Sequence, residues 1–138
     1  SIEGEIEILK AKHTGTPLDD VKAVANKDTI LELQEAISNV FIDDEVYKYI
    51  VSLSNATRNN PLIKLGISPR GTLALTQISK GIALAYGRDY VIPDDVMYIC
   101  SDVFSHRIIL SSKARIAEKN ADSVIAEIIK QTSVPQIK

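Results

Sequence analysis

A chain of 138 residues can close one hydrophobic core and bury about two-thirds of its unfolded surface. Its net charge of −2 gives no general basic field for nucleic acid or an anionic membrane, and 45% apolar with 25% charged residues is the make-up of a folded globular protein. One cysteine, Cys100, excludes an internal disulfide and suits a reducing, cytoplasmic setting, and no run approaches the ~20 apolar residues of a membrane span.

The acidic start, Ser-Ile-Glu-Gly-Glu-Ile-Glu-Ile-Leu, lacks the basic head and apolar core of a signal peptide. With no initiator methionine, the chain is expected to be part of something longer. Residues 4–12 read as a short amphipathic helix carrying Ile6, Ile8 and Leu9. His13-Thr14-Gly15-Thr16-Pro17 ends it with turn chemistry. An irregular segment over 14–26 follows, offering Leu18, Val21 and Val24 to a core. Asn26 caps a helix of about 27–39, with Ile30, Leu33, Ile37 and Val40 at helical spacing. Val40-Phe41-Ile42 reads as a brief strand. Asp43-Asp44-Glu45 opens a helix over 44–59, with Val46, Tyr49, Ile50, Leu53 and Ala56 on one face. Asn59-Asn60-Pro61 stops it, and 61–67 reads as a loop. Tyr90-Val91-Ile92 is a second strand-like triplet, expected to pair with 40–42. Pro93-Asp94-Asp95 opens a helix to about 105, with Val96, Ile99, Cys100, Val103 and Phe104 inward. The two acids there serve the helix dipole, because Ile92 stands where a capping Ser or Thr belongs. Residues 106–110 read as extended and 111–119 as a polar loop. A last helix over 121–132 buries Val124, Ile125, Ile128 and Ile129, before an extended or frayed tail at Val134-Pro135. The sum is an all-α domain, a bundle of five or six helices with two or three very short strands, covering 1–138 as one unit.

The central helix is 69–86. Ser68 caps it, Pro69 fits its first position, and Gly87 marks its left-handed stop. Arg70 and Lys80 are its only charges. A helix N-terminus carries partial positive charge and favours acids, so an arginine there is unfavourable by a few tenths of a kcal/mol, up to ~1. An anion docking on the arginine and the free N–H groups relieves that conflict. Gly66 and Gly71 would let a ligand or another backbone come close. The alternative is a surface arginine paired with a nearby carboxylate.

Other chemistry is missing. There is no G-x-x-x-x-G-K-[ST] loop and no G-x-G-x-x-G after a strand. His13 and His106 have no Cys or His at ligand spacing, so no zinc site is expected. Cys100 and His106 lie six apart on different faces of one helix, and Cys100 holds an apolar position, which favours a core thiol over a nucleophile.

Three groups of residues carry a family likeness: Gly66-Ile67-Ser68-Pro69-Arg70, Gly87-Arg88-Asp89-Tyr90-Val91 with Pro93-Asp94-Asp95-Val96, and His106-Arg107. Pro17-Leu18-Asp19-Asp20, Tyr49-Ile50 and Ala56-Thr57-Arg58 support them. In order and spacing, from about residue 5 to Val134-Pro135, the chain resembles the C-terminal lid of the MoxR-type AAA+ ATPases. The resemblance implies that Arg70 is the sensor 2 arginine that reads the terminal phosphate of ATP, with Ser68 and Pro69 setting its helix. Arg58, Arg88 and Arg107 match recurring family arginines and are assigned to lid structure or subunit contacts. Ile67 and Gly71 replace residues that are usually alanine, and Ile92 replaces the usual Thr or Ser. The phosphate loop, the Mg²⁺-binding acids and the arginine finger belong to an α/β core absent from these residues. ATP and Mg²⁺ are therefore expected in the intact protein and neither on this chain alone, which would hydrolyse no ATP by itself. The implied partners are that core, neighbouring subunits of a homo-oligomeric, typically hexameric, ring, and a client protein that is remodelled or receives a metal. Two other readings stand beside this one. One is a helical protein-interaction bundle with no nucleotide role. The other is a helix-turn-helix DNA-binding module, which the lack of a basic face on 69–86 disfavours.

Overall fold

In the computed structural model, residues 1–13 and 21–136 are described. The expectations that fall on 14–20, including Leu18 and Pro17-Leu18-Asp19-Asp20, lie outside them. Two compact units divide the chain, Ser1–Glu32 and Leu33–Lys138. In the first, α1 (Ile2–His13) presents Ile2, Ile6, Ile8 and Leu9 exposed. Val21 and Val24 are exposed at 71% and 102%, which corrects the expectation that they pack against a core. Apolar character alone does not place a residue inside, and exposed Val and Leu are ordinary in folded proteins.

Helix α2 (Lys27–Asn39) crosses the boundary between the units, and Asn26 caps it by accepting the Thr29 N–H at 2.8 Å. None of its residues is fully buried. The second unit holds the core, one continuous cluster fed by α3 (Asp44–Arg58), α4 (Pro69–Ala85), α5 (Pro93–Phe104) and α7 (Ala121–Gln131). Their side chains meet at helical spacing: Val46, Ile50 and Leu53 from α3, Val96, Cys100 and Phe104 from α5, and Val124, Ile125 and Ile128 from α7. Three of the four core helices start on a side-chain cap. Asp43 accepts the Glu45 N–H, Ser68 accepts that of Gly71, and Asn120 accepts that of Ser123. Gly87 stops α4 with φ +73°, a conformation a Cβ resists.

The expected contact between 40–42 and 90–92 forms as a single parallel bridge, Phe41 to Tyr90, with the Phe41 N–H on Asp89 O and the Val91 N–H on Phe41 O. A true ladder forms elsewhere. Within the expected 61–67 loop, β1 (Ile63–Leu65) pairs antiparallel with β2 (Ile109–Leu110). Of the expected extended run 106–110, residues 106–107 instead belong to a 3₁₀ turn (Ser105–Arg107), while 108–110 are extended. The expected polar loop 111–119 contains α6 (Ser112–Ile116), which buries Ala114. The fold class stands, with seven helices among the described residues. No described helix is long and apolar enough to cross a membrane.

Candidate functional site

The start of α4 is fixed by the end of α3. Ile67, which enters the core at 1% exposure, has both backbone groups satisfied by consecutive α3 side chains. Its N–H donates to Thr57 Oγ1 at 3.0 Å, and its carbonyl accepts Arg58 Nε at 2.8 Å. Arg58 is steadied in turn by Asn55 Oδ1 at 2.9 Å. Gly66 makes this approach possible, because a Cβ there would stand 2.7 Å from the Arg58 backbone. The close partner expected at Gly66 is thus the α3 backbone. Thr72 Oγ1 donates to Ser54 Oγ at 2.8 Å, which ties the second turn of α4 to the same helix.

On this clamped turn the orphan amides are few. Pro69 has none, and the Gly71 N–H is taken by Ser68, by its carbonyl at 2.9 Å and its hydroxyl at 3.4 Å. The N–H of Arg70 remains without a partner among the described residues. The Arg70 side chain is exposed and likewise has no carboxylate or other hydrogen-bond partner among the described residues, so the surface ion-pair alternative finds no support. No acid stands in the first turn of α4. Arg107, exposed on the 3₁₀ turn, runs its stem past this turn, with its Cδ 3.6 Å from where a Gly71 Cβ would lie. Two arginines from different elements, neither paired among the described residues, therefore flank one helix N-terminus, an arrangement that suits an anion. Beside it, a groove of about 590 Å³ runs between α3 and α4, lined by Tyr47, Val51, Arg58, Pro69 and Leu73.

Arg88 is placed differently. It forms a two-pronged pair with Asp95, at 2.7 and 2.6 Å, and its Nη1 also donates to Tyr90 O. Asp95 is 3% exposed and also accepts the Ile92 N–H at 2.9 Å. That bond supplies, from inside α5, what the missing cap residue would have done, and the carboxylate beside Arg88 raises the pKa of its guanidinium further. The sequence reading gave Asp95 only a dipole role. The available signal was an acid at the third position of a helix with no capping Ser or Thr. Cys100 is 1% exposed, and burial pushes its thiol up to about 12, so it stays protonated and is no nucleophile at neutral pH. Among the described residues no cluster of three His, Cys, Asp or Glu that could hold a metal ion occurs.

The family model described as AAA lid domain matches residues 55–128, the stretch from the end of α3 to α7. The chain belongs to this family, and it is the lid of a MoxR-type AAA+ protein. It is 34% identical over 98% of its length to YeaC, an uncharacterized Bacillus subtilis protein, and 31% identical over 99% to Chaperone MoxR1 of Mycobacterium tuberculosis. A solved structure of a candidate ATPase from Cytophaga hutchinsonii superposes with a TM-score of 0.82 at 26% identity, covering 99% of this chain and 44% of that one. The chain spans 42% of YeaC and 38% of MoxR1, so it corresponds to well under half of each relative.

Proposed function

We propose that this chain is the nucleotide-sensing lid of a larger ATPase and that Arg70 is its sensor 2 residue. The observation that carries the reading is Arg70 itself: an arginine with no protein partner among the described residues, held on a braced helix start beside its own free amide. A terminal phosphate of ATP, bound with Mg²⁺ in the α/β core of the intact protein, supplies the anion this turn lacks. Ser68 and Pro69 set the turn and bring Arg70 to the phosphate. Thr57 and Arg58 anchor the same turn to α3, so a pull on Arg70 moves the helical unit as a body. Loss of the phosphate after hydrolysis removes that contact and frees the lid. In a six-membered ring of like subunits, this movement drives chaperone-like remodelling of, or metal insertion into, a client protein in the cytoplasm. The likeness to a protein named as a MoxR chaperone supports that output.

Arg70→Ala in the full-length protein tests the reading. Steady-state ATP turnover should fall by about 10²-fold, the scale for losing one charge-stabilising group. The melting temperature should hold, since removing a cation from a helix N-terminus relieves a small conflict. Wild-type turnover in that variant would sink the sensor role.

A further inference from the structure

The other end of α4 has the opposite chemistry. The helix stops at Ala85 with no basic residue in its last turn, so its negative carbonyl pole is uncompensated from within the helix. Tyr86 follows, 68% exposed, and Tyr98 on α5 is 65% exposed. With Ile82, Ile92 and Asp94 they line a depression of about 440 Å³, shared by the mutually neutralised Arg88 and Asp95. Asp94 is exposed and has no hydrogen bond or ion pair among the described residues. The depression therefore carries one net negative charge between two tyrosines. One of these rings already faces a guanidinium, with Arg88 Cζ 6.0 Å from the centroid of Tyr86.

From this charge and these aromatic faces, we infer that the depression receives an Arg or Lys side chain from a basic segment of a partner protein. Aromatic faces attract cations through the ring quadrupole, and the unpaired carboxylate supplies the matching charge. Tyrosine offers a rigid amphipathic wall at low entropic cost, which is why it recurs where proteins dock. The same charges repel an anionic partner such as nucleic acid. The 17 residues of α4 separate this site from Arg70 by about 25 Å, so it stands or falls independently of the nucleotide reading.

A fluorescein-labelled peptide of alternating Arg and Gly, titrated by anisotropy against the 138-residue chain, tests the inference, with a neutral citrulline peptide in parallel. The Arg peptide should bind and the citrulline peptide should bind at least about 10-fold more weakly. Tyr98→Ala and Asp94→Asn should each weaken Arg-peptide binding about 3-fold, and Tyr98→Phe should retain it. Glu3→Gln, on α1, should change nothing. All three side chains are exposed, and a thermal melt confirms that each of the four variants folds. Absent binding of the Arg peptide, equal binding of both peptides, wild-type affinity in Tyr98→Ala and Asp94→Asn, or an equal loss in Glu3→Gln would each overturn it.

Discussion

Arg88 and Arg70 bracket one helix and carry the same group, yet one is bound into the fold and the other is not. Arg88 meets a nearly buried carboxylate through both prongs, and that carboxylate in turn closes the first turn of α5. Arg70 meets no carboxylate among the described residues, while everything around it is tied down: Ser68 to Gly71, Ile67 to Thr57 and Arg58, Thr72 to Ser54. A braced setting with an unsatisfied charge at its centre differs in kind from a flexible surface arginine, because the cost of ordering the site has already been met in folding. Both arginines sit in recognisable sequence motifs. What separates them is whether the fold supplies the counter-charge.

The largest effect should come from breaking the satisfied end. Arg88→Ala leaves the Asp95 carboxylate almost fully buried with only the Ile92 N–H and water for company. Removing one partner of such a pair destabilises by about 3 kcal/mol, readable as a lower urea midpoint with an unchanged m-value. The Arg70→Ala effect comes next, about 2.7 kcal/mol if turnover falls 10²-fold, and it should appear in the activation barrier rather than in stability. Equal destabilisation by the two substitutions would erase the distinction and return Arg70 to lid structure.

The helices and their starts were legible because each carries its own local instruction. Asn26 and Ser68 cap where expected, and the apolar residues of α3, α5 and α7 recur at the spacing that lines a core. The β1–β2 ladder was not legible, since strands of three and two residues are too short to show alternation and their pairing joins segments more than forty residues apart. Five-residue α6 spans hardly more than one turn, too little for a period. At the site, Arg70 and its cap could be read directly. The Thr57 and Arg58 clamp on Ile67 could not, because it depends on how closely Gly66 lets two backbones approach.

A smaller and more local effect concerns the turn that carries Arg70. Ile67 Cγ2 lies 2.7 Å from where a Gly71 Cβ would stand, so the two positions that depart from alanine in the family likeness occupy one space between them. Gly71→Ala alone forces Ile67 to move and should cost about 1 kcal/mol despite the better helix propensity. In an Ile67→Ala background, itself destabilised by the cavity, the same substitution should instead gain up to about 1 kcal/mol. A double-mutant cycle by urea unfolding reads this change of sign, and additive effects would show that the two departures are unrelated.

The smallest effect sharpens what makes Arg88 matter. Lys48 and Glu45 also form an ion pair, but their side chains are 70% and 52% exposed, and both ends are solvated whether or not they meet. Neither is needed to neutralise a charge hidden from water, and holding two long side chains together offsets most of the Coulomb attraction. Lys48→Ala should therefore leave the urea midpoint where it is, at low salt and at high salt alike. A shift comparable to that of Arg88→Ala would mean that ion pairing as such stabilises this unit. No shift would leave burial of Asp95 as the reason one arginine is structural and the other is available.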